Sequence, residues 1–155
     1  MDIRFCKEED FTHILNIESS SDYGWAPNLL YYELFNKETT TSIGAYSLFD
    51  NKLLGYGILD IGQSDSFILK IIVSEKHRRK GIGSQLLLAL SEIAQAFGFS
   101  KINLRVRLDN VPAYSLYVMF GFIEDEIIHN YYHDGVSALL MSALLPLYIP
   151  GDYLT

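Results

Sequence analysis

Several things are scarce in this sequence. Its 155 residues hold one cysteine, Cys6, so no internal disulfide framework can form, and the sequence suits a reducing compartment. The long apolar stretches are interrupted well short of the roughly 18 residues that a membrane-crossing helix needs. Met1-Asp2-Ile3-Arg4-Phe5 carries no basic segment ahead of an apolar one, so no signal peptide is expected and a cytoplasmic location is. Positive charge is also in short supply: 12 Lys and Arg stand against 19 Asp and Glu, for a net charge of −7. That balance disfavours nucleic acid and anionic membranes as partners. Repeats, linkers and low-complexity segments are absent. His129 and His133 lie four apart with Asp134 beside them, but no Cys-rich or His-x-Glu pattern accompanies them, so no metal is expected.

What is present is a chain of 49% apolar and 20% charged residues, long enough for one domain with a sizeable core. Against the acidic background one basic cluster stands out: Lys76, His77, Arg78, Arg79 and Lys80. It follows an apolar, β-branched run, Ile68 to Val73, that reads as a strand. Gly81 and Gly83 come next, and then Ile82, Leu86, Leu87, Leu90, Ile93, Ala94 and Phe97 at helical spacing. A strand, a basic glycine-containing turn and a helix start form an anion site. First-turn amides lack partners, the helix dipole is positive there, and glycine lets a diphosphate approach the backbone. The phosphate-binding loop pattern G-x-x-x-x-G-K-[ST] is missing, and G-x-G lacks the third glycine of the dinucleotide fingerprint. Arg78-Arg79-Lys80-Gly81-Ile82-Gly83 fits a third pattern, [RQ]-x-x-G-x-[GA].

The remaining elements follow from local signals. Residues 2–6 read as a strand with Ile3 and either Phe5 or Cys6 inward, and 8–19 as a helix. Residues 19–24 form a loop, and a helix opens at Pro27 and runs to Phe35. Strands at 42–49 and 53–61 flank a turn at Asp50-Asn51-Lys52. A strand at 67–73 feeds the basic turn, and the helix over 82–97 stops at Gly98. The strand 101–108 puts Ile102, Leu104, Val106 and Leu108 on one face and Asn103, Arg105 and Arg107 on the other. Asn110 caps a short helix that Gly121 ends. Strands at 122–130 and 136–144 close the domain. The expected architecture is α/β (α+β): a mixed, mostly antiparallel sheet of six to seven strands flanked by about four helices. The domain spans 2–144, and 145–155 is a tail that packs on it or on a partner subunit, as monomer or homodimer.

The basic turn in this order of elements resembles the pyrophosphate-binding motif of the GNAT acetyltransferases, which use acetyl-CoA. Two further segments strengthen the likeness. Leu104-Arg105-Val106-Arg107-Leu108-Asp109-Asn110, followed by Ala113, Leu116-Tyr117 and Gly121-Phe122, is similar to the family's fifth strand and Asn-capped helix. Asn130-Tyr131-Tyr132-His133-Asp134-Gly135, followed by Ala138 and Met141, resembles the ending of the RimI-like protein Nα-acetyltransferases.

That resemblance implies roles. Backbone groups of Ile71, Ile72 and Val73 would hold the pantetheine arm. Amides from Arg79 through Lys80, Gly81, Ile82, Gly83 and Ser84 would hold the pyrophosphate, with Arg78 and its basic neighbours in support. Tyr117 is the implied general acid, and Asn110 caps the helix and stands by the cofactor. Trp25, Tyr31, Tyr131 and Tyr132 would line the acceptor groove. At Arg105 the pattern breaks, because the family places a Glu or His there and arginine cannot take a proton at neutral pH. Arg105 is therefore expected to bind an acidic group on the substrate or on the protein. Proton removal then falls to water, His129, His133 or Glu33. The implied acceptor is a protein or peptide N-terminus, with a small amine (polyamine, amino acid or aminoglycoside-like) as the alternative. A non-catalytic acyl-CoA-binding protein is the third reading.

Overall fold

The computed structural model describes residues 1–21 and 24–151; Asp22 and Tyr23 of the expected loop and residues 152–155 of the expected tail lie outside the described residues. The chain forms seven strands: β1 (Asp2–Phe5), β2 (Thr40–Tyr46), β3 (Leu53–Asp60), β4 (Ser66–Val73), β5 (Lys101–Arg107), β6 (Ile123–Ile128) and β7 (Ala138–Leu144). Apolar residues at helical spacing build α1 (Phe11–Ser19), α2 (Pro27–Tyr31), α3 (Ile82–Ala96) and α4 (Val111–Met119). The strands form one sheet in the order β1-β2-β3-β4-β5-β7-β6. Every neighbouring pair is antiparallel except β4 and β5. The expected mixed, mostly antiparallel sheet and the expected element order are both found.

Each face of the sheet buries its own core. On one face Leu86, Leu87 and Leu90 of α3 pack without exposure against Leu59, Ile102 and Leu104. Full burial of each such leucine is worth about 1.5–3 kcal/mol. Phe120, at the end of α4, and Leu147 join the same core. On the other face Ile14, Ile17, Leu30 and Leu34 pack against Tyr46, Tyr56 and Ile58. The helices on this second face cover the β2–β4 half of the sheet and leave the far side of β5 open, where Arg105 is exposed.

Several local boundaries differ from those read in the sequence. β2 ends at Tyr46 rather than 49, because the register with β3 shifts between Ala45 and Tyr46; Leu48 and Phe49 are exposed in the turn. The helix opening at Pro27 does not stay α-helical to Phe35. A π turn over Tyr32–Asn36 follows α2, and the Lys37 N–H donates to the Tyr32 carbonyl at 2.9 Å. Phe5 is 62% exposed; Cys6 lies one residue past β1 and is the one packed on the second core. Leu108 lies past the end of β5 and is exposed rather than inward, its N–H donating to the Ser137 carbonyl. β6 and β7 are shorter than expected, so the connection between them spans residues 129–137.

The feature that positions the site is the short contact between β4 and β5. Only three register pairs form: Ser66 with Ile102, Phe67 with Asn103, and Ile68 with Leu104. Beyond them β4 continues to Val73 and β5 to Arg107 without pairing. The cause lies on the other side of β4. Ile58 pairs with Lys70 and Leu59 with Ile68, so Leu69 is an extra residue in that ladder. A bulge bends and twists its strand, and this one sits at the residue after the last β5 contact.

Candidate active site

The open edge of β4 leads directly into the basic turn. Residues 70–73 pair with β3 on one side, and residues 69–73 pair with no described strand on the other. The chain then makes a short 3-10 turn at Glu75–His77 and enters α3 through Gly81, whose φ is +78°. Glycine reaches that left-handed geometry without a steric penalty. A Cβ built on Gly81 meets nothing within 4 Å. At Gly83 it would touch only Leu116 Cδ2 at 3.7 Å and Val73 Cγ2 at 3.9 Å, so α4 and the end of β4 frame the turn. Gly81, the residue at the N-cap of α3, has no side chain with which to cap it. Arg79 takes φ +65°, and Arg78, Arg79 and Lys80 are exposed around the turn. Arg78 Nε donates to the Val73 carbonyl at 3.2 Å and ties the turn to the strand end. The cradle thus has the backbone conformation, the open space and the cations that a diphosphate requires.

α4 stands next to this cradle. Asn110 caps it, accepting from the Ala113 N–H at 3.3 Å on Oδ1. The cap sets the helix orientation, and with it that of Tyr117, which is 8% exposed and stacks at 5.7 Å from the ring of Phe122. Burial first, and the neighbouring Tyr132 second, push the Tyr117 hydroxyl up to about 12. It is therefore a phenol, able to donate a proton, at any physiological pH.

The face opposite α3 holds the other predicted residues, in three groups. Trp25 belongs to a buried ion-pair cluster. Glu18, 2% exposed at the end of α1, accepts from the Trp25 backbone N–H, the Tyr56 hydroxyl and the Lys70 ammonium. Lys70 Nζ also lies 4.0 Å over the Trp25 ring. Burial lowers the Lys70 pKa, and Glu18 opposes that shift. The second group surrounds Arg107, which donates to Asp109 and, at 2.7 Å, to Asp134, and lies 4.8 Å over the Tyr132 ring. The third is Arg105, whose guanidinium sits 4.5 Å over the ring of Phe67 and 5.5 Å from that of Tyr131. Tyr131 and Tyr132 are in edge contact at 5.0 Å, so the last two groups form one surface.

Not all predicted residues converge. Tyr31 lies in a ring cluster with Phe11, at 5.0 Å, and Phe35, at 5.2 Å. Its hydroxyl is raised by burial and by Glu8, at the end of α1 opposite Glu18 and Trp25. Among the base candidates, Glu33 is tied to Lys37 at 3.5 Å, and His129 and His133 are exposed in the β6–β7 connection.

Residues 8–122 match the acetyltransferase (GNAT) family. The chain belongs to the GNAT acetyltransferases. A Bacillus subtilis protein provisionally named ribosomal protein bS18-alanine N-acetyltransferase is 30% identical over 141 residues, covering 90% of this chain and 92% of its own length. An N-alpha-acetyltransferase of Sulfurisphaera tokodaii is 39% identical over 79 residues, about half of each chain. Among solved structures, the ribosomal-protein-S18-alanine N-acetyltransferase of Escherichia coli shares the fold with a TM-score of 0.83 and 23% identity, over 99% of this chain and 98% of that one. The protein is accordingly an acetyl-CoA-dependent N-acetyltransferase.

In this GNAT enzyme sequence reasoning missed Glu18, Tyr56, Lys70 and Phe67. One signal was available: Lys70 is the single charge inside the apolar run from Ile68 to Val73, and a charge on a buried strand needs a partner. The identity of that partner, 52 residues away, was not readable.

Proposed function

We propose that the enzyme acetylates the α-amine of a protein or peptide chain by direct attack of the amine on the thioester in a ternary complex. The observation that carries this reading is the unpaired edge of β4 from residue 69 to 73, running straight into the uncapped, open start of α3. Acetyl-CoA supplies the thioester carbonyl. Backbone groups of Ile71, Ile72 and Val73 hold its arm as an added strand would. Amides from Arg79 to Ser84 take the pyrophosphate, with Arg78, Arg79 and Lys80 lowering its charge. Tyr117 donates its proton to the departing sulfur. The acceptor chain enters over the open face, where Trp25, Arg105, Tyr131 and Tyr132 receive it; Tyr31 supports that wall from the α1–α2 cluster. No base stands at position 105, so the amine arrives neutral and gives its proton to water. The names of the Bacillus and Sulfurisphaera relatives support an N-terminal acceptor. We read the enzyme as cytoplasmic, with residues 2–144 as the catalytic domain.

The test is thiol release from acetyl-CoA with a peptide panel, spermidine and free amino acids, followed by mass-spectrometric location of the acetyl group. Turnover on peptide α-amines is expected. Turnover confined to small amines, or acetyl found only on lysine side chains, overturns the acceptor assignment.

A further inference from the structure

We propose that the enzyme prefers acceptors carrying a side-chain carboxylate on the first or second residue, and that Arg105 is the group that reads it. The inference rests on the N-terminal acceptor reading above and extends it to substrate class.

Most cations on this face are already neutralised. On the elements of this face Lys37 pairs with Asp60 at 3.0 Å, Lys70 with Glu18, and Arg107 with both Asp109 and Asp134. Asp65, close by, is taken by Asn103 at 3.3 Å. Among the described residues Arg105 has no ion pair, although 19 acidic residues are available in the chain. Arg105 and Arg107 sit two apart on one strand and point to one face, so the difference is one of surroundings rather than register.

Geometry completes the case. The rings of Phe67 and Tyr131 hold the planar guanidinium by cation–π contact and supply no carboxylate for its N–H groups. A guanidinium fixed in this way keeps its donor fork open for a carboxylate, which it can bind through two parallel hydrogen bonds. Its place along the strand sets the reach. Leu104 is the last β5 residue paired with β4, so Arg105 stands at the mouth of the gap where the reacting amine must lie. An anion bound there belongs to the acceptor's first residues. The coenzyme's phosphates are assigned to the α3 turn, beyond the end of β4.

The experiment compares kcat/KM for matched peptides with Asp or Asn, and Glu or Gln, at positions 1, 2 and 3, using wild type, Arg105→Gln and Arg105→Glu. A charge-assisted pair predicts that wild type favours the acidic member at position 1 or 2 by about tenfold or more. Arg105→Gln brings the acid-to-amide ratio to about 1, mainly through KM, and Arg105→Glu lowers it below 1. Circular dichroism of each variant shows that it is folded; the wild-type ratio needs no variant at all. Turnover of all peptides with equal efficiency, or a ratio unmoved by Arg105→Gln, overturns this inference and leaves the N-terminal acceptor reading standing. No turnover of any peptide overturns both.

Discussion

The side that we assign to the acetyl donor is made from one contiguous stretch, whereas the side that we assign to the acceptor is assembled from residues far apart in the chain. Residues 66–84 provide the open strand edge, the basic turn, the left-handed glycine and the first turn of α3. They do so largely with backbone groups. The opposite face relies on side-chain pairs: Glu18 with Lys70, Arg107 with Asp134, and Arg105 with Phe67 and Tyr131. The contrast teaches that a ligand common to a whole family can be held by local backbone geometry. The groove that we propose for the acceptor depends on long-range partners, and single substitutions can change it.

If the acceptor wall really hangs on long-range pairs, Glu18→Ala carries the largest penalty. It strands Lys70 in the interior and removes the acceptors of the Tyr56 hydroxyl and the Trp25 N–H. Breaking one partner of a buried pair costs about 3–5 kcal/mol. Denaturant unfolding should record that loss, and adding Lys70→Met should recover part of it. A Glu18→Ala protein as stable as wild type would mean that the pair is not structural.

Next in size, Tyr117→Phe should lower kcat by about a hundredfold while leaving the fold intact. The pH profile sharpens the point. A tyrosine acid works while protonated, so activity would fall as pH rises through its pKa, and for Tyr117 that lies near 12 rather than 10. Activity should instead climb as the acceptor amine, with an ordinary pKa of about 7.7–8.0, loses its proton. It should then stay level to about pH 10. A falling limb between pH 8 and 10 that vanishes in Tyr117→Phe would contradict the burial of this hydroxyl.

The smallest effect isolates the donor side. Gly81→Ala meets no atom but forces a left-handed backbone that costs about 1–2 kcal/mol for a residue with a Cβ. CoA affinity measured by calorimetry should drop by up to tenfold. Gly98→Ala carries the same backbone strain, at φ +90°, beyond the far end of α3, and should lower stability without touching CoA affinity. Equal losses of affinity in the two would separate the turn from the coenzyme.

Much of this was legible beforehand. The order of elements along the chain, the helix starts at Pro27 and Asn110, and the turn at 78–83 all rest on signals within a few residues of one another. The misses have a common physical origin. Leu108 and Phe49 have apolar side chains, but the strands carrying them end where register pairing ends, and register is a property of two segments. Cys6 and Phe5 compete for one inward direction, and the core beneath α1 and α2 takes Cys6. Its thiol is pushed up to about 12, chiefly by burial, so it stays protonated and inert.

By itself the sequence determined the turn that we propose as the coenzyme cradle, because glycine geometry, helix-start amides and neighbouring cations are set by adjacent residues. It also placed an arginine at position 105, where the resemblance led us to expect an acid or an imidazole. Only the tertiary structure decided which arginine is spoken for. Arg105 and Arg107 are chemically identical and face the same way. What separates them is carboxylates: Arg107 has Asp109 beside it and Asp134 returned by the β6–β7 connection, whereas Arg105 meets only aromatic rings, and chain folding brings Asp134, Phe67 and Tyr131 within reach.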